Sequence, residues 1–226
     1  WVEKDQQKLD KSRVEVLNKY QPLTKKTTIL DVGCGKPSFL HTAHQQYNVQ
    51  GVGVDFSDHG WRDEPSYEQE LELMVGELDQ LKLEIQPDFI TMWHYLEHDY
   101  FPNQTLQQLR TLATPNTHLI IEVPNFDSES RKKYGACWAG WHTPRHSFLY
   151  SPENLEQLLA KNGWQTKEIR TSGTLSDYLL YWMSEMELKN IDWQKNMEAE
   201  FWNFAKGQTQ HQLSHLFSSK KSHGIM

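Results

Sequence analysis

A glycine pair and an acid about twenty residues further on have the types and spacing to hold a nucleotide-like ligand. Gly33-Cys34-Gly35 closes the apolar run Thr28-Ile29-Leu30-Asp31-Val32, and Val52-Gly53-Val54-Asp55 puts a carboxylate at the end of a second alternating run. In a strand, Gly-x-Gly, helix, strand and acid arrangement the glycines let backbone N–H groups approach the ligand. The acid accepts hydrogen bonds from both hydroxyls of a ribose. A second set, His94-Tyr95-Leu96-Glu97-His98, spells H-x-x-E-H, the pattern by which two imidazoles on one helical face hold zinc while a glutamate activates water. Its context argues against a protease, because His94 directly follows a predicted strand and no downstream helix offers a third ligand. A third set, His142-Thr143-Pro144-Arg145-His146, offers imidazoles able to exchange a proton near neutral pH.

The elements that must position these residues are legible from periodicity. A surface helix is predicted over Lys8 to Tyr20, with Leu9, Val14, Val16 and Leu17 among charges; Pro22 and Lys25-Lys26 lead from it into the first strand. Arg13 on that helix reads either as a solvated side chain or as one that reaches a ligand carboxylate. Further strands are expected at Leu71 to Val75, Asp88 to Trp93, Thr117 to Val123 and Trp164 to Ile169. Between them, Pro102-Asn103 opens a helix carrying Leu106, Leu109 and Leu112. Ser151-Pro152-Glu153-Asn154 gives a cap, a first-turn proline and an acid ahead of Leu155, Leu158 and Leu159.

Strands alternating with helices imply an α/β fold, a Rossmann-like three-layer sandwich with a mostly parallel sheet of six to seven strands. Its ligand belongs beyond the carboxyl ends of the strands. The chain divides into an N-terminal helix and linker (1–26), a core (27–170), and a helical lid or appendage (171–226) rich in aromatic residues. Within that last segment Asp177 to Leu188 is apolar all round, and Trp193, Phe201, Trp202 and Phe204 follow. Such a helix must bury its rings against a substrate, added core or a second copy of the chain. This segment runs into the beginning of a last strand, cut short at Gly224 to Met226, and the first residue, Trp1, leaves the natural N-terminus open.

Composition narrows the function classes. Thirty acidic and twenty-three basic residues give a net charge of −7, unsuited to a phosphate backbone as partner. The basic run Arg131-Lys132-Lys133 reads as solvated surface. Two cysteines, Cys34 and Cys137, lack metal-ligand spacing and point to a reduced, cytoplasmic setting. No window reaches the length of a membrane span.

Four segments in order, Ile29 to Gly35, Gly51 to Asp55, Trp93 to His98 and Trp141 to His146, resemble the class I S-adenosylmethionine-dependent methyltransferases. The resemblance is to the small-molecule branch that includes ubiquinone-biosynthesis O-methyltransferases, and it runs from Thr28 to Ile169. It implies S-adenosyl-L-methionine as cofactor, with Gly33, Cys34 and Gly35 along its methionine part and Asp31 orienting its ammonium. Asp55 falls at the ribose, Glu77 and Leu78 at the adenine, Trp93 as a wall and Arg13 at the carboxylate, and Phe56 is a further cofactor-binding candidate. Some relatives bind a divalent cation at the positions of His94, Glu97 and His98, which the resemblance admits without favouring.

By the same resemblance the second histidine segment lies over the active site. His142 and His146 are then candidates for taking the acceptor's proton or for shaping the substrate pocket, and Arg145 for pairing with an anionic substrate or with a carboxylate of the fold. The acceptor is expected to be a small, hydrophobic or aromatic molecule, with peripheral contact to a lipid-like substrate allowed, and the protein a monomer or homodimer. Two departures from the family pattern are Pro37, where relatives continue with glycine, and Asn116 before the fifth strand. The other functional classes are a nicotinamide-dependent oxidoreductase, which leaves the Trp93 and Trp141 segments without a role, and a non-catalytic cofactor-binding partner subunit.

Overall fold

Short apolar runs between glycine or proline turns become a parallel sheet. Its strands are β1 (Thr28–Val32), β2 (Gln50–Asp55), β3 (Glu72–Val75), β4 (Phe89–Trp93) and β5 (His118–Glu122), in the order β3-β2-β1-β4-β5. Every pairing is parallel; Leu30 sits opposite Val52 on one side and Ile90 on the other. The computed structural model describes residues 2–171, 173–174, 177–192, 197–216 and 225–226. It divides into two units, Trp1–Glu122 with Leu158–Gln165, and Val123–Gln157 with Thr166–Met226.

The first unit holds the sheet together with helices α1 (Val2–Tyr20), α2 (Ser38–Tyr47), α3 (Ser66–Glu70) and α4 (Pro102–Leu112). Ile29, Leu30, Phe89, Ile90 and Met92 are shut off from solvent, as central strands of a covered parallel sheet must be. Val14 and Leu17 of α1 and Phe39, Leu40 and Ala43 of α2 pack into the same core. Pro37 precedes α2 as its cap residue, its carbonyl accepting the His41 N–H at 3.0 Å, so the ring costs no helical hydrogen bond. Asn48 closes α2 in the left-handed conformation (φ 55°). Asn116, the second departure, donates its N–H to Thr114 Oγ1 in an exposed turn before β5.

In the second unit α5 (Glu129–Tyr134) is capped by Ser128, whose hydroxyl accepts the Arg131 N–H. Two 3-10 turns follow, Gly135–Cys137 and Ala139–Trp141. Helix α6 (Pro152–Lys161) starts in this unit, where Ser151 Oγ accepts the Asn154 N–H, and its residues from Leu158 on belong to the first. Helices α7 (Asp177–Leu188) and α8 (Met197–Leu216) complete the unit. Tyr178, Trp182 and Met186 of α7 are buried with Phe204 of α8 against them, and Ser184 Oγ accepts the Ala139 N–H at 2.9 Å.

The expected sheet of six to seven strands is corrected to five among the described residues. Residues 164–169 form no strand: Trp164 donates its N–H to Leu159 O and its indole N–H to Leu106 O, and no strand pairs with the segment. At the chain end, Val123 and Met226 exchange both backbone hydrogen bonds and Pro124 bridges Ile225 antiparallel, an isolated bridge rather than a strand. The first helix starts at Val2 rather than Lys8. Phe201 and Trp202, expected to be buried, are exposed, whereas Trp193 lies outside the described residues. No described helix is long and apolar enough to cross a membrane.

Candidate functional site

The sheet order reverses between β1 and β4, and in open α/β sheets this is where a crevice forms beyond the strand ends. The residues there start with Asp31, which is buried opposite Thr91 of β4 and accepts the Thr91 hydroxyl at 2.6 Å. Burial lifts its carboxyl to about 7; the Thr91 hydrogen bond and the Arg13 charge pull it back down. Asp31 therefore gains or loses its proton near neutrality, and an arriving cation would hold it ionised.

The turn after β1 follows from backbone chemistry. Val54 O accepts both the Gly33 and Cys34 N–H groups, at 2.8 and 3.1 Å. Gly33 has φ 73°, and a Cβ there would stand 2.3 Å from the Tyr95 ring, so the turns after β1 and β4 touch only because position 33 lacks a side chain. Gly35 also has positive φ, with open space where a Cβ would point. Its N–H donates to Asp55 Oδ2 at 2.9 Å, and the Ser57 N–H donates to Oδ1 at 3.2 Å. Asp55 is thus oriented by one amide on each oxygen, and each oxygen keeps a further lone pair. Burial, with the charges of Asp31 and Asp55, pushes the Cys34 thiol up, so this sulfur stays protonated.

At the ends of β2 and β3, Phe56 is 76% exposed and Val75 52%, two apolar surfaces left open to solvent. Glu77 is exposed and Leu78 buried in a 3-10 turn that follows. Trp93 ends β4 with its indole N–H buried and without a partner among the described residues. The Arg13 guanidinium lies over its ring at 4.7 Å, so the side chain keeps only 12% exposure and is not the solvated one that is its alternative in sequence.

Next to Arg13 stands a chain of charges that the sequence reading missed. Arg13 faces Glu122 at 3.7 Å, Glu122 faces His94 Nε2 at 3.2 Å, and His94 Nδ1 faces Glu97 at 3.2 Å. Burial alone would lower the His94 pKa. The close contact with Glu122, the hydrogen bond to Glu97 and the charges of both acids outweigh it and hold the imidazole at about 9. A protonated ring with a carboxylate facing each nitrogen has no lone pair to offer. Nor is H-x-x-E-H helical here: His94 takes φ 56° and a short turn follows. The one sequence signal for this chain of charges is Glu122, an acid ending the apolar run Leu119-Ile120-Ile121.

The second histidine segment belongs to the second unit. His146 Nδ1 lies 2.8 Å from the Gly140 carbonyl, which can only accept, so Nδ1 carries a proton and, in the neutral ring, Nε2 the lone pair. That lone pair faces His142 Nδ1 at 3.4 Å, with the two rings nearly perpendicular. The two imidazoles predicted as candidates are therefore in contact, while Arg145 between them is exposed.

A methyltransferase-domain family model matches residues 1–169. Among solved structures, an S-adenosylmethionine-dependent methyltransferase from Aquifex aeolicus is 19% identical, covering 66% of this chain and 77% of its own, with a TM-score of 0.51. The 1,6-didemethyltoxoflavin-N1-methyltransferase of Burkholderia thailandensis, solved with bound 1,6-didemethyltoxoflavin and S-adenosylhomocysteine, is 14% identical (72% and 70% covered, TM-score 0.57). A cyclopropane synthase from Mycobacterium tuberculosis is also 14% identical (88% and 74%, TM-score 0.60). At these identities the structures establish the Rossmann-like fold. No curated protein sequence matches the chain.

Proposed function

The chain belongs to the methyltransferase-domain family, and from that premise we propose that it transfers a methyl group from S-adenosylmethionine to a small organic acceptor. The observation that carries this is the turn after β1, where Gly35, with open space beside it, donates its amide to the Asp55 carboxylate. The residues present fit such a cofactor. The buried Asp31 suits an ammonium, oriented Asp55 suits two ribose hydroxyls, Phe56 and Leu78 suit a flat base, and the orphaned Trp93 N–H suits an acceptor atom of a ligand. Glu77 is assigned beside the adenine, Cys34 along the methionine part, and Arg13 near the carboxylate.

The cofactor brings a methyl group already activated on a positively charged sulfur. The chain's own part is to bind, orient and exclude water, and positioning of this kind can supply roughly 7 to 11 kcal/mol. His142 and His146 are assigned to the acceptor side, where the lone-pair nitrogen of a neutral imidazole suits the proton of a phenol or hydroxyl; Arg145 is assigned to an anionic group of the acceptor. The resemblance of Trp93 to His98 and Trp141 to His146 to the small-molecule branch supports a hydrophobic or aromatic acceptor, and one fold serves oxygen, nitrogen and carbon acceptors alike.

Calorimetric titration with S-adenosylmethionine, S-adenosylhomocysteine and NAD tests the reading. Both sulfur compounds should bind, and Asp55→Ala should weaken them roughly 10- to 100-fold, the loss of one charge-assisted hydrogen bond. Selective binding of NAD would overturn it.

A further inference from the structure

In the second unit a cavity of about 430 Å³ opens between α5, α7 and α8, within the size range of small-molecule sites. Its walls are rings: Tyr134 meets Tyr181 edge-on at 6.0 Å, and His211 contacts both Tyr178 and Tyr181, at 5.4 and 5.0 Å. The helix interior is opened for one of them. Gly207 lies inside α8, where glycine costs about 1 kcal/mol against alanine. A Cβ there would stand 1.7 Å from the Tyr178 hydroxyl, so the glycine makes room for that group beside the cavity. Burial raises the Tyr178 pKa, which keeps the hydroxyl a donor.

Charge at the rim is unevenly satisfied. Glu129 is taken by Lys132 at 3.0 Å and Glu185 by Lys189 at 2.7 Å, each on its own helix. Lys133 makes no ion pair among the described residues. Its ammonium rests on the faces of Tyr134 and Tyr181, at 4.8 and 5.6 Å. Glu129, Glu185 and Lys133 line the cavity, and with both acids paired to lysines outside its lining, Lys133 is the cation at its wall.

We propose that this cavity binds a flat aromatic carboxylate, its ring among Tyr134, Tyr178 and Tyr181 and its anionic group on Lys133. Edge and face contacts with tyrosine suit a ring of either charge; the uncompensated ammonium selects the anion. The site stands independently of methyl transfer, since none of its residues is assigned to the cofactor.

Naphthalene-2-carboxylate, its neutral carboxamide and 2-naphthylmethylammonium serve as probes, titrated into the full chain by calorimetry and by saturation-transfer NMR. The carboxylate should bind about tenfold or more tighter than the carboxamide, as one charge-assisted hydrogen bond implies. Lys133→Gln, at an exposed position, should remove that preference while leaving carboxamide binding and S-adenosylhomocysteine binding unchanged. Gly207→Ala should weaken carboxylate and carboxamide together. Equal binding of carboxylate and carboxamide, a preference for the ammonium compound, no binding, or an unchanged preference in Lys133→Gln would each overturn the proposal. Failure to bind S-adenosylhomocysteine alongside normal naphthoate binding would count against methyl transfer alone.

Discussion

Two clusters in this molecule solve the problem of burial in opposite ways. At the ends of β4 and β5, Arg13, Glu122, His94 and Glu97 form a line of alternating charges, each facing the next within 3.7 Å. In the second unit Tyr178, Trp182 and Met186 are buried by contact among rings and aliphatic groups, with Phe204 against them. The first cluster depends on every partner being present, because removing one leaves an uncompensated charge out of water. The second depends on volume, and loses contact in proportion to the atoms removed. The same buried state is therefore sensitive to protonation in one region and to shape in the other.

The sharpest way to break this contrast is to remove one partner from each cluster. Glu122→Ala should cost about 3–5 kcal/mol by urea denaturation, since Arg13 and His94 then face each other's charge with no acid between them. Trp182→Ala should cost a similar 3–5 kcal/mol through the cavity it leaves, with no change in the pH dependence of stability. Equal pH profiles for both variants would erase the distinction.

Next in size is the pH profile of the unaltered protein. His94 is held at about 9 against an ordinary 6.5, so its contribution is complete below pH 6.5 and disappears as pH rises through 9. The integrated loss is on the order of 3 kcal/mol. Asp31, raised from 3.8 to about 7, acts in the same direction at lower pH, favouring the folded state below 3.8 and ceasing to do so by about 7. Denaturation midpoints followed from pH 6 to 10 should fall, and His94→Gln should flatten the alkaline part.

A smaller effect is expected at Thr91→Val, which removes the hydroxyl donated to Asp31. The loss should be about 1–2 kcal/mol above pH 7, and the Asp31 carboxyl, followed by carbon-detected NMR, should titrate higher than in the parent. Smallest of all, Trp202→Ser should change stability by no more than about 0.5 kcal/mol, because that ring is 77% exposed. A large loss there would show that the aromatic cluster extends across α8.

How far the sequence carried depended on whether an element is specified locally. The strands around Asp31, Asp55 and Trp93 announce themselves through apolar runs stopped by glycine or a turn, and all three were placed within a few residues. The segment 164–169 misled because Trp164, Thr166 and Ile169 imitate an edge strand, whereas a strand exists only by pairing, and Trp164 is anchored to α4 instead. The charge chain was invisible for a related reason. Arg13, His94 and Glu122 lie far apart in sequence, and only the fold brings them into line. The aromatic helix α7 was legible by composition; its cavity was not, because Tyr134 and Lys133 come from α5.

The state of Cys34 has a practical consequence. Its sulfur is buried in the turn after β1 and burial keeps it protonated, while Cys137 is half-buried in a 3-10 turn. The two thiols are chemically unequal, so a maleimide dye at neutral pH should label Cys137 and spare Cys34. That label would sit next to the indole of Trp138, whose emission it can quench. These 226 residues thus offer a single-site fluorescent reporter of the second unit without any residue being changed.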